Sequence, residues 1–185
     1  MTLGALHPAW TVSRAAGIAA LVLASASVCF GLLLAARRAG RLADLRGVHE
    51  TLGIATLVAL AIHGLALLAD PWLHPAPSSL VVPFALDYRP FWTGLGVIAA
   101  YSLFALSVGH LARRRIGAAR WKRVHRLTIV FWGLGIVHTL GAGTDAGTAW
   151  LLAIVLMPVA VVALLALLRL RPPSRRPSRA PGRAV

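Results

Sequence analysis

Five long apolar segments, separated by short polar ones, constrain how this chain can fold. A bilayer core is crossed by about 20 apolar residues in α-helical conformation. Of the 185 residues 58% are hydrophobic and 13% are charged, whereas soluble domains average about 25% charged residues. The sequence therefore predicts an all-α, polytopic membrane helix bundle with about five transmembrane helices: Trp10 to Ala36, Val48 to Leu68, Phe91 to Leu111, Val124 to Leu140 and Thr148 to Leu170.

Basic residues are distributed unevenly along the chain. Segments 37–46 and 113–126 and the stretch from Arg169 onward hold four, seven and six of the 19 Lys and Arg residues. Cytoplasmic loops carry such an excess, so the N-terminus is expected outside and the C-terminus in the cytoplasm. Because this charge lies between apolar segments, the net charge of +14 indicates membrane lipid as a partner and no nucleic acid. We expect a multi-pass protein of a bacterial inner membrane.

The predicted domain organisation is simple. Residues 10–170 form the helical domain, and residues 171–185, rich in Arg, Pro and Ser, form a disordered basic cytoplasmic tail. Residues 70–90 form a Pro-rich outer loop, in which residues 80–84 are too short to span and are expected on the membrane surface. The one cysteine, Cys29, excludes an intramolecular disulfide and a thiolate cluster.

Four histidines lie within two of the predicted helices. His49 and His63 lie in the second helix, and His125 and His138 lie in the fourth. Ionisable side chains are costly in lipid, so their presence there points to function. Both helices are expected to run from the cytoplasm outward, which places His49 level with His125 and His63 level with His138. Each level then offers two imidazoles, the arrangement that two bis-histidine haems require.

The spacing of each pair tests this interpretation. His49 and His63 are fourteen residues apart, which is about 21 Å and about 40° short of four full turns, so both face one side of their helix. His125 and His138 are thirteen residues apart, which leaves them about 140° apart on an ideal helix. The second pair therefore requires an irregular first turn at His125, or a π-bulge or kink near Gly133 and Gly135.

Other residues fit a haem site. Haem propionates are anionic and pair with arginine, and Arg14 and Arg89 are expected near the outer pair and Arg126 near the inner pair. Topology alone also accounts for inner arginines. Four glycines could admit a flat macrocycle to the backbone, or could equally pack helices together: Gly53, Gly64, Gly133 and Gly135.

Two other functions for the histidines were considered. A zinc site needs about four ligands within one small sphere, which two separated pairs do not supply. A proton relay would use carboxylates within the spans, and only Glu50, at the membrane edge, qualifies. A histidine-based proton or metal transporter is the alternative from another functional class.

These residues resemble a known family. The two histidine pairs have the spacing of the ferric reductase-like transmembrane domain, and the stretch from Trp121 to Leu127 is similar to the Trp-x-x-Leu-His-Arg-Leu motif of its second haem helix. The family includes ferric reductases, NADPH oxidases and the haem subunit of bacterial methionine sulfoxide reductase systems. The resemblance covers roughly residues 10–170. It implies that His49 and His125 share the inner haem and that His63 and His138 share the outer one.

The chain also departs from the family. Larger members have a sixth helix, many have tyrosine where Ile129 stands, and oxidases continue into a flavin and nicotinamide domain that this sequence does not show. FAD or FMN is therefore expected only through a partner.

The resemblance implies a b-type cytochrome that passes electrons through two haems b, from a cytoplasmic flavoprotein or quinol to an extracytoplasmic acceptor. The alternative within the family is the haem membrane subunit of a periplasmic methionine sulfoxide reductase-type system. Neither interpretation assigns a catalytic residue to the chain. In both, the protein is expected to be the electron-transfer component of an oxidoreductase.

Overall fold

The chain is all-α, as predicted. A computed structural model describes residues 8–35 and 42–170, and within these ranges every regular element is a helix. Positions 37–41 of the predicted basic loop and the predicted tail 171–185 lie outside the described residues. The eight helices are α1 (Pro8–Ala35), α2 (Leu42–Leu68), α3 (Pro77–Val81), α4 (Pro90–Val108), α5 (Arg113–Ile116), α6 (Ala118–His125), α7 (Thr128–Ala142) and α8 (Ala149–Leu170).

Helix length and composition confirm a multi-pass membrane protein. Among the described residues four helices are long and apolar enough to cross a membrane: Pro8–Ala35, Leu45–Leu68, Pro90–Val108 and Ala149–Leu168. The fifth predicted span is divided, because α6 ends at His125 and α7 begins at Thr128. With 15 residues, α7 is about 22 Å long, shorter than a bilayer core of about 30 Å.

Helix α1 lies at the centre of the bundle. It packs against α2, α7 and α8. The indole Nε1 of Trp132 donates a hydrogen bond of 2.9 Å to the Ser25 hydroxyl, which joins α7 to α1 in the core. The apolar side chains of this core come from α1, α7 and α8: Leu21, Val28, Leu32, Trp132, Ile136, Val155 and Val162.

The histidine-bearing helices each pack antiparallel against a second helix. Helix α2 lies along α1, with His63 beside Ser13 and His49 beside Ser27. Helix α7 lies along α4, with His138 beside Trp92. His49 faces His125 at one level and His63 faces His138 at the other, so α2 runs parallel to the α6–α7 segment, as the sequence predicted.

The segment between α2 and α4 folds back over the bundle. The Tyr101 hydroxyl donates to the Val81 carbonyl at 2.7 Å, and the Phe84 ring packs against Gly94. Val81 and Phe84 are half-exposed. Residues 80–84, expected on the membrane surface, thus pack along α4 between Gly94 and Tyr101.

Candidate functional site

The structure brings the four histidines together as two facing pairs. The ring centroids of His49 and His125 are 6.1 Å apart, with an interplanar angle of 84°. Those of His63 and His138 are 6.3 Å apart, at 73°. Each pair takes one ring from α2 and one from the α6–α7 segment.

These separations fit a metal ion between two imidazoles. Two metal–nitrogen bonds of about 2.0 Å, together with the distance from each nitrogen to its ring centroid, add up to roughly 6 Å. Two axial nitrogens from opposite sides are what a six-coordinate haem iron takes from a protein. Both pairs therefore have the separation that bis-histidine haem ligation needs.

Backbone carbonyls fix the orientation of three of the four rings. Nδ1 of His63 lies 2.8 Å from the Ser13 carbonyl oxygen, and Nδ1 of His49 lies 2.9 Å from that of Ser27. Nδ1 of His138 lies 2.9 Å from the carbonyl oxygen of Trp92. A carbonyl can only accept, so each Nδ1 carries the proton and each Nε2 keeps its lone pair for a metal.

His125 is held differently. Its Nδ1 is buried and has no hydrogen-bond partner within the described part of the chain. The ring instead stacks on Trp121, with centroids 4.7 Å apart at 18°. It ends α6, outside the four candidate spans, and burial, with smaller contributions from His49 and His110, lowers its pKa below that of an ordinary histidine. A lowered pKa favours the neutral ring that a metal ligand requires.

The helix break at residues 126–127 explains the thirteen-residue spacing of the second pair. His125 is the last residue of α6, and α7 runs without interruption through Gly133 and Gly135. Of the geometries considered from the sequence, the irregular turn at His125 is the one found. Because the two histidines belong to different helices, the 140° offset of an ideal helix does not apply to them.

A cavity of about 710 Å³ surrounds the outer pair. It is bounded by α1, α2, α4 and α7 and by the segment that folds over the bundle, and both His63 and His138 line it. Cofactor pockets usually measure about 300–1,000 Å³ and are mostly apolar, so the cavity has the size and lining of such a site.

The four glycines singled out in the sequence face open space. A Cβ added at any of them would meet no neighbouring atom within 4 Å in the described structure: Gly53, Gly64, Gly133 and Gly135. Gly64 and Gly135 line the cavity. Tight helix packing therefore does not account for these four glycines.

The three predicted arginines lie in different surroundings. Arg14 lines the cavity and is paired with Asp145, with Nη2 2.7 Å from Oδ1. Arg89 adopts a positive φ of 44° just before α4, donates to the Gly141 carbonyl at 2.6 Å and does not itself line the cavity. Arg126 is exposed in the turn that follows His125. Only Arg14 is thus brought into the cavity that holds a histidine pair.

Sequence reasoning missed the residues of α1 that contact the rings of His63 and His49. Ser13 and Gly17 contact His63, and Ser27 and Gly31 contact His49. Both sets have the form Ser-x-x-x-Gly and are fourteen residues apart, the spacing of His49 and His63 themselves. That shared spacing is visible in the sequence, but it acquires a meaning only once α1 is known to pack against α2.

No group of three or more His, Cys, Asp or Glu side chains that could hold a metal ion occurs in residues 8–35 and 42–170. A tetrahedral zinc site needs about four such ligands. Two-ligand pairs match axial ligation, in which the porphyrin itself supplies the remaining donors.

These observations define a class, an all-helical multi-pass membrane protein with two facing histidine pairs inside its bundle. Residues 16–136 match the family model described as "Ferric reductase like transmembrane component". The match covers more than half of the chain, which therefore belongs to the ferric reductase-like transmembrane family, whose domains generally bind haem. It includes His49, His63 and His125 and ends two residues before His138. Comparisons with curated proteins and with solved structures gave no match.

Proposed function

We propose that this protein is a dihaem b-type cytochrome of the bacterial inner membrane, which passes electrons across the bilayer to an extracytoplasmic acceptor. The observation that carries the proposal is the presence of two facing imidazole pairs. The ring centroids are 6.1 Å apart for His49 and His125 and 6.3 Å apart for His63 and His138. Family membership supports it, because a ferric reductase-like domain is a membrane component of electron transfer.

Each residue of the site then has a defined part. His49 and His125 would bind the inner haem, and His63 and His138 the outer one. When bound, haem supplies one-electron redox chemistry, while the protein holds and tunes it. Filling both axial positions keeps substrates off the iron. Arg14, in the cavity, would pair with a propionate in competition with Asp145, and Arg89 and Arg126 are more distant candidates for the same role.

The partners follow from charge and position. The basic segment 113–126 would face the cytoplasm, where it meets anionic lipid and can attract an acidic flavoprotein carrying FAD or FMN, or lie beside a quinol donor. The acceptor would approach the outer haem beneath the outer loop of residues 70–90. A ferric chelate and a periplasmic redox protein, such as a methionine sulfoxide reductase partner, are both compatible with this geometry.

Haem content is the direct test. Purified protein, expressed with ample haem, should give a reduced b-type spectrum and about two haems per chain, because each histidine pair supplies two axial nitrogens. Pyridine haemochrome absorbance divided by protein concentration gives the ratio. A colourless preparation would refute the proposal, and a stable ratio of one would remove one of the two sites.

Topology is tested by labelling. Ser78 is exposed in α3, so we expect Ser78→Cys to react with a membrane-impermeant maleimide added to intact spheroplasts. A reporter fused after Val185 should be active only in the cytoplasm, because the basic segments favour that side. The parent protein, with Cys29 alone, gives the background labelling. Labelling of Ser78→Cys only after lysis, with an extracytoplasmic reporter, would reverse the donor and acceptor sides.

A further inference from the structure

Helix α1 carries a Ser-x-x-x-Gly motif against each histidine of α2. In the first motif, the Ser13 carbonyl oxygen accepts from Nδ1 of His63 at 2.8 Å. Ser13 is 1% exposed, and its hydroxyl donates to the His63 carbonyl at 2.9 Å. The same hydroxyl oxygen is 3.0 Å from Nδ1, so the ring N–H lies between two acceptors of one residue.

The second motif repeats these contacts at the other level. The Ser27 carbonyl oxygen is 2.9 Å from Nδ1 of His49, and the Ser27 hydroxyl oxygen is 3.1 Å from it. That hydroxyl also donates to the His49 carbonyl at 3.4 Å. Because α1 and α2 are antiparallel and both spacings are fourteen residues, one helix supports one ligand of each pair.

The glycine of each motif makes room for the ring. A Cβ at Gly17 would lie 3.0 Å from Nδ1 of His63, and one at Gly31 would lie 3.1 Å from Cε1 of His49. Such distances are shorter than ordinary van der Waals contact, so any side chain would push the imidazole away from the carbonyl behind it. A carbonyl has two lone pairs and can accept from the ring in addition to its helical N–H.

We propose that Ser13 and Gly17 are positioning residues for His63, that Ser27 and Gly31 are positioning residues for His49, and that α1 thereby tunes one axial ligand of each haem. The proposal rests on the proposed function. An Nδ1–H that donates to a carbonyl fixes the tautomer and raises the basicity of the metal-binding nitrogen. A more basic ligand stabilises the ferric state, so each motif lowers the midpoint potential of its own haem.

The test uses Gly17→Ala and Gly31→Ala in the full-length, haem-loaded protein. Gly17→Ala should raise the midpoint potential of the outer haem alone, and Gly31→Ala that of the inner haem alone. Loss of such supporting contacts also weakens metal binding by about 10–100-fold, so the affected haem should be lost first on dilution. Potentiometric titration followed at the haem absorbance bands measures both effects, and the single-haem variants His63→Ala and His49→Ala assign each titration to its site.

Ser25→Ala is the matched control. Ser25 is buried on the same helix, donates to the Leu21 carbonyl and accepts from Trp132, and neither of these hydrogen bonds involves a histidine. It should lower the stability and leave both potentials unchanged. Ser13→Ala and Ser27→Ala keep the glycine and the carbonyl and should give smaller shifts at the same haems, so they carry the test if a glycine variant does not fold.

The outcomes separate the two proposals. Two haems per chain with unchanged potentials in all four variants would overturn the positioning role and leave the proposed function intact. Equal shifts of both haems, in these variants and in Ser25→Ala, would also overturn it. A parent protein without haem would overturn the proposed function and this inference with it.

Discussion

His63→Ala or His138→Ala is expected to abolish reduction of an external acceptor and to leave one haem reducible from the cytoplasmic side. Each change removes one axial nitrogen of the outer pair, whose rings face each other at 6.3 Å. The inner pair lies about 21 Å away along α2, so its haem should be retained. Without the outer haem, an electron has no intermediate site across the outer half of the bilayer.

The measurement uses vesicles with reductant on the side that bears the basic segments and a ferric chelate on the other. Rapid mixing followed at the haem absorbance bands gives reduction of the remaining haem, and ferrous iron is measured outside. The control is His74→Asn, because His74 is exposed and has a φ of 38°, which asparagine tolerates. Transfer at the parental rate in His63→Ala with one haem per chain would contradict the two-haem relay.

Trp132→Ala is expected to destabilise the bundle by about 3–5 kcal/mol, the usual effect of removing a buried tryptophan. The Trp132 side chain, on α7, is 5% exposed, and its Nε1 donates a hydrogen bond to Ser25 on α1. Trp132→Phe keeps most of the ring and should lose about 1 kcal/mol for the hydrogen bond. Denaturant unfolding in detergent, followed by near-UV circular dichroism, measures the difference.

The matched control is Trp150→Ala on α8. Trp150 is 43% exposed, so its removal leaves no internal space and should change the free energy of unfolding far less than Trp132→Ala does. Equal losses for the two alanine variants would show that the α1–α7 contact at Trp132 is not a principal source of stability.

The sequence predicted the helix bundle and the pairing of the histidines at two depths, because both follow from numbers of residues along the chain. Apolar segments of about 20 residues indicate spans, and a fourteen-residue spacing returns His63 to the face of His49. The sequence left an irregular turn at His125 open beside a distortion near Gly133 and Gly135, because apolar length does not register a turn at Arg126 and Leu127, neither of which is a helix breaker.

The contacts that α1 makes with the histidine rings could be recognised only once the fold was known. Serine and glycine are ordinary packing residues in membrane helices, so Ser13 and Gly17 carry no signal until α1 is known to lie against α2. The pairing of Arg14 with Asp145 joins residues 131 positions apart, which no local pattern reveals. The sequence analysis predicted that Arg14 pairs with a haem propionate, and it did not predict the ion pair of Arg14 with Asp145.

The break after His125 makes the two histidine levels mechanically unequal. His63 belongs to a helix of 27 residues, whereas His125 ends one of eight, which packs on α5 and carries exposed Arg120, Lys122 and Arg123. A lipid or protein that bound these three basic side chains would contact the same short helix that carries His125. A displacement of α6 therefore moves the ring of His125 directly, while the outer pair is anchored in two longer helices.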